Sequence, residues 1–360
     1  MIERSELLQR LTPPLLAWYD VHARVLPWRG TDDPYRIWLS EIMLQQTRVQ
    51  AVIPYYERFL AACPTVDALA ALSQDALFKL WEGLGYYSRA RNLHAAAKEL
   101  AARGAFPRTA AEWKALPGVG DYTAAAVASI AFGEVTPAVD GNLLRVAARV
   151  TACADDVTDA KTRRAFTDAL RGAIDPARPG AWNQAMMDLG ATVCLTNGAP
   201  LCERCPAAAF CAARRMGLTE TLPVRAGKKQ RRVEERTVFL LRRSDGCLAL
   251  HRRPDRGLLA GLWEFPNVPG SLDDASARLV LAQRGLSVQT LTPLDAAKHI
   301  FTHVEWDMHG YCAEVTGGGE GLFWADEAAF SAAAIPSAFQ KYTAKAKQII
   351  GGDNNGTALL

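Results

Sequence analysis

The sequence has no hydrophobic run approaching the roughly 20 residues that a membrane-spanning helix needs, and it has no internal repeat. Its N-terminus, MIERSELLQR, is charged and lacks the apolar segment of a secretory signal. We therefore expect a cytoplasmic protein that makes no contact with a membrane.

Charge of either sign is also not in excess, because 41 Lys and Arg residues against 38 Asp and Glu residues leave a net charge of +3. This balance permits nucleic-acid binding without arguing for it. Hydrophobic residues make up 49% and charged residues 22% of the chain, which excludes a mainly disordered protein. A length of 360 residues allows two or three domains with cores of their own.

Residues 1–221 are predicted to be almost wholly helical, because Ala-rich amphipathic runs alternate with Pro and Gly. Asp33 and Pro34 are typical of a helix start, with Asp as the N-cap and Pro at the first helical position. Residues 222–236, LPVRAGKKQRRVEER, are predicted to be an exposed linker. A solvated charge run is the favoured interpretation of its basic residues, and a strap that contacts phosphate is the alternative.

From residue 237 the pattern changes to strands. TVFLLRR, a Ser-Asp-Gly turn and CLALHRR predict a β-hairpin, and further strands are predicted in HIFTHVEWDMHGYCAEV and GLFWAD. Helices are predicted near 273–284 and 336–350, so residues 237–350 form a smaller α+β domain. Residues 351–360 have the composition of a flexible tail.

The stretch Leu116–Gly120, LPGVG, lies between two helical runs. Gly118 and Gly120 let the backbone approach another group closely, and the N–H groups that open the next helix can hold a phosphate. This pattern predicts a helix-hairpin-helix contact to a DNA backbone, with an ordinary helix-turn-helix connection as the alternative. Because Asp121 follows directly, the backbone donors would have to do the binding.

Four of the eight cysteines crowd into 18 residues, namely Cys194, Cys202, Cys205 and Cys211. Without an export signal, the set predicts a metal site rather than disulfides. Four thiolates so close in sequence can enclose one [4Fe–4S] cluster. Structural zinc is less favoured, because it more often uses two Cys-x2-Cys pairs and only one is present.

Glu41 and Asp140 are two carboxylates in contrasting settings. Glu41 lies on an apolar face of a helix predicted over 34–47, so its pKa should be raised. Asp140 directly precedes a helix, where N–H groups and the helix dipole favour the ionised form. One acid and one carboxylate are the usual pair for cleaving a glycosidic bond. Taken singly, an ion-paired core Glu and a structural cap are the simpler interpretations.

The loop Gly83–Tyr87, GLGYY, carries aromatic rings that could enter a base stack, or that could equally pack on the core. Nearby arginines are candidate phosphate ligands, although each by itself is uninformative: Arg24, Arg29, Arg89 and Arg91.

Taken together, these motifs resemble the adenine DNA glycosylases of the MutY family, within the helix-hairpin-helix glycosylase superfamily. The resemblance runs from about residue 12 to 345. It is carried by HARVLPWR, WLSEIMLQQTRV, WEGLGYYSRARNLH, LPGVGDYTAAAVASIAFGE, PAVDGNLLRV, NQAMMDLGATVC, the Cys set, GLLAGLWEFPN and IFTHVEW.

This resemblance implies a monomer that excises adenine mispaired with 8-oxoguanine, or with G, from duplex DNA, in the nucleoid if the source is bacterial. The adenine leaves the stack to reach a pocket. By the same matching, Glu41 protonates N7 of adenine and Asp140 stabilises the oxocarbenium-like sugar. Tyr122 and Asn142 support this chemistry. The resemblance also implies a six-helix module over about 24–132 and a cluster module built from 1–23 and 133–221.

The resemblance assigns further residues to the DNA. Adenine-pocket positions are Trp28, Leu44, Val49 and Gln184. Gln46 and Tyr86 would intercalate, and Thr47 and Leu84 would contact 8-oxoguanine.

Tyr122 stands where the similar endonuclease III family has a nucleophilic Lys. Since Tyr cannot form a Schiff base with the sugar, we expect a monofunctional glycosylase without strand cleavage.

The C-terminal domain resembles a Nudix fold but lacks the acidic REXXEE pattern that holds Mg²⁺ in Nudix hydrolases. We therefore expect a recognition module, in which Phe301, Thr302 and His303 read 8-oxoguanine. The family often has Ser where this chain has Thr302, and the hydroxyl is retained.

Two features depart from the family pattern. The gap of seven residues after Cys194 is one longer than expected, and Asp121 replaces a more usual Arg or Pro. The alternatives that remain are an endonuclease III-like or thymine-mismatch glycosylase of the same superfamily, and a lesion-binding module without catalysis.

Overall fold

A computed structural model describes residues 4–196, 198–227 and 230–351. The chain divides into two compact units. The first unit holds the residues up to Ala71 together with Arg91–Gly227, and the second holds Leu72–Ala90 together with the chain from Lys228 onwards. Among the described residues, no helix has the length and apolar character needed to cross a bilayer.

Helices dominate the chain as far as residue 215. They are α1 Arg4–His22, α2 Pro34–Leu44, α3 Val49–Ala62, α4 Val66–Ala70, α5 Gln74–Trp81, α6 Ser88–Arg103, α7 Ala110–Lys114, α8 Asp121–Phe132, α9 Gly141–Val150, α10 Ala160–Arg171, α11 Pro179–Thr192 and α12 Ala212–Arg215, with a 3₁₀ turn at Cys202–Arg204. The predicted helical fold of this region is confirmed.

The predicted start of α2 illustrates why these elements form. The Asp33 carboxylate accepts hydrogen bonds from the N–H groups of Tyr35 and Arg36, and Pro34 occupies the first helical position. Nearly every side chain of α2 is then buried. The main core of the first unit lies among α1, α8, α9, α10 and α11, so α8, α9 and α11 have fixed positions from which to present polar groups.

The second unit is built on a seven-stranded mixed sheet. Its strands are β1 Arg232–Arg243, β2 Leu248–Arg252, β3 Trp263–Glu264, β4 Asn267–Pro269, β5 Ser287–Ile300, β6 Val304–Thr316 and β7 Phe323–Ala325. The strand order is β3-β2-β1-β6-β5, with β4 paired to β1 and β7 paired to β2. β1 and β2 form the predicted hairpin, while β1 and β6 run parallel from Arg232 opposite Val304 to Arg243 opposite Val315.

Helices and apolar side chains cover both faces of this sheet. Val238 and Leu240 of β1 enter one core, and Phe239 and Leu241 enter the other, as the alternation of a strand requires. α13, Asp274–Gln283, was predicted near 273–284. The predicted helix at 336–350 begins as a 3₁₀ turn over Ser337–Phe339 and becomes α15, Gln340–Gly351; α14 spans Glu327–Ala332. The expected α+β fold is therefore confirmed.

Two boundaries differ from the sequence prediction. β1 begins at Arg232, inside the predicted linker 222–236, because its first residues pair with β6, which lies far away in the sequence. Leu72–Ala90, expected in the helical region, belongs to the second unit. The tail prediction for 352–360 lies outside the described residues.

Candidate active site

A cavity of about 170 Å³ lies in the first unit. Loop 24–29, the end of α2, the start of α8, the start of α9 and the end of α11 form its walls. Its lining includes ten residues that the sequence singled out: Arg24, Trp28, Arg29, Glu41, Leu44, Thr47, Val49, Tyr122, Asp140 and Asn142. Residues more than a hundred positions apart in sequence are thus brought to one place.

Glu41 lies on the buried face of α2 and is 5% exposed. Burial raises the pKa of its carboxyl group, while a hydrogen bond from the Tyr122 hydroxyl to Oε2 (2.7 Å) and the positive charge of Arg29 act in the opposite direction. Desolvation is the largest effect, so the pKa of Glu41 is raised, as its apolar helix face predicted. The side chain is suited to carrying a proton.

Asp140 is the N-cap of α9, as predicted. Its Oδ1 accepts hydrogen bonds from the N–H groups of Asn142 and Leu143 (both 2.8 Å), and its Oδ2 accepts one from the Asn142 side chain (2.7 Å). These bonds favour the ionised form, yet burial outweighs them and raises the pKa of Asp140. The capping bonds act in the predicted direction, and the net rise of the pKa was not predicted because desolvation depends on tertiary packing.

Arg145, which the sequence analysis missed, fixes Asn142. Its guanidinium donates to the Asn142 side-chain oxygen (2.8 Å), to the Gly190 carbonyl (2.7 Å) and to the Cys194 carbonyl (2.8 Å). The side chain is 3% exposed. Asn142 is thereby oriented to donate to Asp140, and the start of α9 is tied to the first cysteine of the cluster set.

Arg24 and Arg29 are bound to a second missed residue, Asp188 of α11. The Asp188 carboxylate is fully buried and lies 2.6 Å from Arg24 and 3.0 Å from Arg29. Arg29 also donates to the Tyr19 hydroxyl (2.7 Å). The two arginines expected to contact phosphate are therefore held in a buried ion-pair network at the cavity wall.

The cavity also has apolar walls. The Trp28 ring meets the Tyr56 ring edge-on, with 5.2 Å between centroids. Gln184, expected in the adenine pocket, is not in the lining and instead accepts a hydrogen bond from the Tyr19 hydroxyl (2.6 Å). The lining includes three residues that were not predicted: Leu26, Met187 and Ala191. They carry no polar group that sequence inspection could have singled out.

The two residues expected to intercalate both have left-handed backbones. Gln46 has a φ of 57° and is exposed, and Tyr86 has a φ of 50° and is 46% exposed. Such conformations cost of order 1–3 kcal/mol in non-glycine residues and are found at functional sites. Leu84 differs from them, since it is only 6% exposed and presents little surface to a duplex.

Arg89, a candidate phosphate ligand, instead holds the loop of Tyr86. Its guanidinium donates to the carbonyls of Leu84 and Gly85 (both 3.1 Å) and lies over the Tyr86 ring.

The predicted hairpin joins α7 to α8. Gly118 has a φ of +72°, and a Cβ there would lie 2.4 Å from the Cβ of Asn92, so only Gly fits. Gly120 is the N-cap of α8 and has open space beside it, and no side chain caps this helix. Asp121 does not cap either, because its exposed carboxylate pairs with Lys114 (2.6 Å). The first N–H groups of α8 are thus open to a ligand.

The four cysteines line one cavity, together with Arg149 and Arg214. Arg149 donates to the Cys194 sulfur (3.3 Å), and burial raises the pKa of Cys205 to about 12. Among the described residues, no group of three or more His, Cys, Asp or Glu side chains is arranged to hold a metal ion. The four thiols line a common cavity, and four sulfur donors are the set that an iron–sulfur cluster takes. The N–H of Leu201 donates to the Val193 carbonyl (2.9 Å) and closes the long loop.

In the second unit, Phe301, Thr302 and His303 form the turn between β5 and β6. The Phe301 ring packs edge-on against Trp306, with 4.9 Å between centroids, and its N–H donates to the Val304 carbonyl (2.8 Å). Thr302 and His303 are exposed. The packed Phe301 ring thus fixes the turn on which Thr302 and His303 are exposed.

Comparison with known proteins finds relatives for both units. Residues 39–171 match a family model described as HhH-GPD superfamily base excision DNA repair protein, and residues 237–345 match a NUDIX domain model. The adenine DNA glycosylase of Homo sapiens is 35% identical, over 91% of this chain and 72% of the human protein. That of Mus musculus is 37% identical, over 94% of this chain and 81% of the mouse protein. A solved thermostable thymine-DNA glycosylase is 26% identical, with a TM-score of 0.53, over 58% of this chain and 97% of that one.

Proposed function

Since the chain belongs to the adenine DNA glycosylases, enzymes of base excision repair that cut the N-glycosidic bond of adenine, we propose that its preferred substrate is adenine mispaired with 8-oxoguanine. We further propose that it acts as a monomer, in the compartment that holds the DNA, and leaves the strand intact. The observation that carries the proposal is the convergence of Glu41, Tyr122, Asp140 and Asn142 on one cavity.

The geometry supports a division of labour between the two carboxyl groups. An adenine turned out of the duplex enters between Trp28 and Leu44. Glu41, whose protonated form burial favours, gives its proton to N7 and makes adenine a leaving group. Asp140 accepts hydrogen bonds from three N–H donors that favour its ionised form against the effect of burial, and it stabilises the positive charge that develops on the sugar until water adds there. Tyr122 orients Glu41, and Asn142 orients Asp140.

Other residues would read the duplex. The hairpin at Gly118 and Gly120 would bind a phosphate through backbone N–H groups. Gln46 and Tyr86, at exposed turns, would enter the base stack, and Thr47 follows Gln46 directly in sequence. Thr302 and His303 would hydrogen-bond the oxidised guanine, because their polar groups are exposed on an anchored turn.

The cysteine set would hold a [4Fe–4S] cluster. Cys194, Cys202, Cys205 and Cys211 supply the four thiolates that such a cluster takes. When bound, the cluster would cross-link Cys194, which follows α11, to the loop that carries Cys202 and Cys205 and to Cys211 at the start of α12. Because Arg145 bonds the Cys194 carbonyl and the Asn142 side chain, an ordered loop would also hold Asn142 in place. Absorbance near 400 nm in the purified protein tests this assignment.

A single-turnover assay tests the substrate. We expect adenine release to be fastest opposite 8-oxoguanine, slower opposite G, and absent for T opposite G, with Asp140→Asn inactive on all. Borohydride should trap no covalent adduct, because Tyr122 has no amine. Faster release of thymine than of adenine, or efficient trapping, would overturn the proposal.

A further inference from the structure

A groove of about 380 Å³ lies on the first unit and shares one wall, Tyr122, with the candidate active site. One side of it is α10, whose positions 163, 167 and 171 follow one another on a single helix face. The other side is α7 and the first turn of α8. Its lining also includes the apolar residues Ala124, Ala125, Pro137 and Val139.

The rim of this groove carries four cations and one carboxylate: Lys114, Arg163, Arg164, Arg171 and Asp121. Two of the cations are neutralised, since Lys114 pairs with Asp121 (2.6 Å) and Arg171 pairs with Asp168 (3.2 Å).

Arg163 and Arg164 are exposed, and within the part of the chain that the structure describes neither guanidinium has an ion-pair or hydrogen-bond partner. The groove therefore holds two uncompensated positive charges side by side.

The groove is continuous with the hairpin, because α7 and α8 are the helices that Leu116–Gly120 joins. The uncapped first turn of α8 includes Asp121 and Tyr122, and both of these residues line the groove. A phosphate held by the hairpin would thus be followed by neighbours along α10. A chain of phosphates matches this arrangement, whereas a single small anion would not need its length.

We propose that this groove binds the sugar–phosphate backbone of the DNA, with Arg163 and Arg164 each neutralising one phosphate. The proposal rests on the proposed function only in taking duplex DNA as the substrate. It does not depend on which base is excised or on what lies opposite it.

The test is the salt dependence of binding. The probe is a fluorescent duplex with 2′-fluoro-2′-deoxyadenosine opposite 8-oxoguanine, which slows bond cleavage during the measurement. Kd is measured between about 50 and 200 mM KCl. Each phosphate neutralised contributes about 0.9 to the slope of log Kd against log salt, so the double variant Arg163→Gln, Arg164→Gln should have a slope about 1.8 smaller than the wild type.

A matched pair on α6, Lys98→Gln with Arg103→Gln, removes the same charge from two other exposed positions and should keep the wild-type slope. Both double variants should melt within about 2 °C of the wild type, because all four positions are exposed. An unchanged slope for the α10 pair overturns the proposal, and so does an equal fall for both pairs. If the wild type binds this probe but releases no adenine from the same duplex with ordinary deoxyadenosine, the proposed function fails while the salt-dependence test remains valid.

Discussion

The first unit buries the charged side chains of its candidate site inside the helical core, whereas the second unit exposes its candidate recognition residues at a turn. Glu41, Asp188 and Arg145 are almost inaccessible to water. Thr302 and His303 are exposed. The difference agrees with the roles proposed for the two units. Moving a proton to a base requires a carboxyl group whose pKa burial has raised, while reading a lesion requires free donors and acceptors at the surface.

The largest effect should come from the buried acid. Glu41→Gln keeps the shape of the side chain and removes its proton, so single-turnover adenine release should fall by about 10³-fold. A variant that retains more than a tenth of the wild-type rate would show that this unit does not supply the acid.

The same substitution should act on stability with a defined sign. Burial raises the pKa of Glu41 in the folded state above its usual value of 4.5. Protonated Glu41 makes its full contribution to the free energy of unfolding below pH 4.5, and this contribution is lost as the pH rises through the raised pKa. Glu41→Gln cannot ionise and should therefore melt higher than the wild type at about pH 8 and equally at about pH 4. If the difference in melting temperature between Glu41→Gln and the wild type were the same at about pH 4 and about pH 8, the raised pKa of Glu41 would be contradicted.

Asp188→Asn should unfold the first unit more easily, by about 3 kcal/mol, because it leaves two guanidiniums facing a neutral side chain in a buried place. Asp20→Asn, which breaks an exposed pair with Arg178, is the control and should cost less than about 1 kcal/mol. Urea unfolding compares the two.

Asp188→Asn should also change the pH dependence. Without the carboxylate, the positive charge of Arg29 lowers the pKa of Glu41 further, so adenine release should be lost at a lower pH as the pH rises. If the rate of adenine release falls at the same alkaline pH in Asp188→Asn and in the wild type, Asp188 has only a structural role.

In the second unit, the effect should be on discrimination. Thr302→Ala combined with His303→Ala removes two exposed polar groups, and the ratio of the rates opposite 8-oxoguanine and opposite G should fall about tenfold, the equivalent of one or two hydrogen bonds. The rate opposite G should change little, since the acid lies in the other unit. If the rates opposite 8-oxoguanine and opposite G fell by the same factor, the second unit would not be the one that discriminates between them.

The smallest effect concerns α5. Glu82 follows this helix, and its carboxylate accepts a hydrogen bond from the Ile335 N–H (3.1 Å) within the second unit. Glu82→Ala should destabilise that unit by about 1 kcal/mol. Glu99→Ala, at an exposed position of α6, should change stability by less than about 0.5 kcal/mol. Equal melting of the two variants would show that this bond contributes nothing.

The sequence predicted the features that depend on interactions between residues close together in the chain. The cap at Asp33, the cap at Asp140, the apolar face of Glu41 and the β1–β2 hairpin are fixed by neighbours in sequence, and the structure has them. Asp188 was missed because a buried ion pair has no short-range signature. The raised pKa of Asp140 was not predicted for the same reason, since its desolvation comes from remote packing.

The membership of α5 in the second unit has a practical consequence for dividing the protein. Lys79 donates to the Ala333 carbonyl (3.3 Å), and Asp75 pairs with Arg252 (3.0 Å). Phe78 and Trp81 of the same helix are fully buried. A fragment ending at Gly227 would retain α5 and lose these partners, so a cut at the basic segment does not yield two autonomous pieces. In such a fragment α5 would lose its packing partners and become exposed, so a protease should cleave at α5 before it cleaves the other helices.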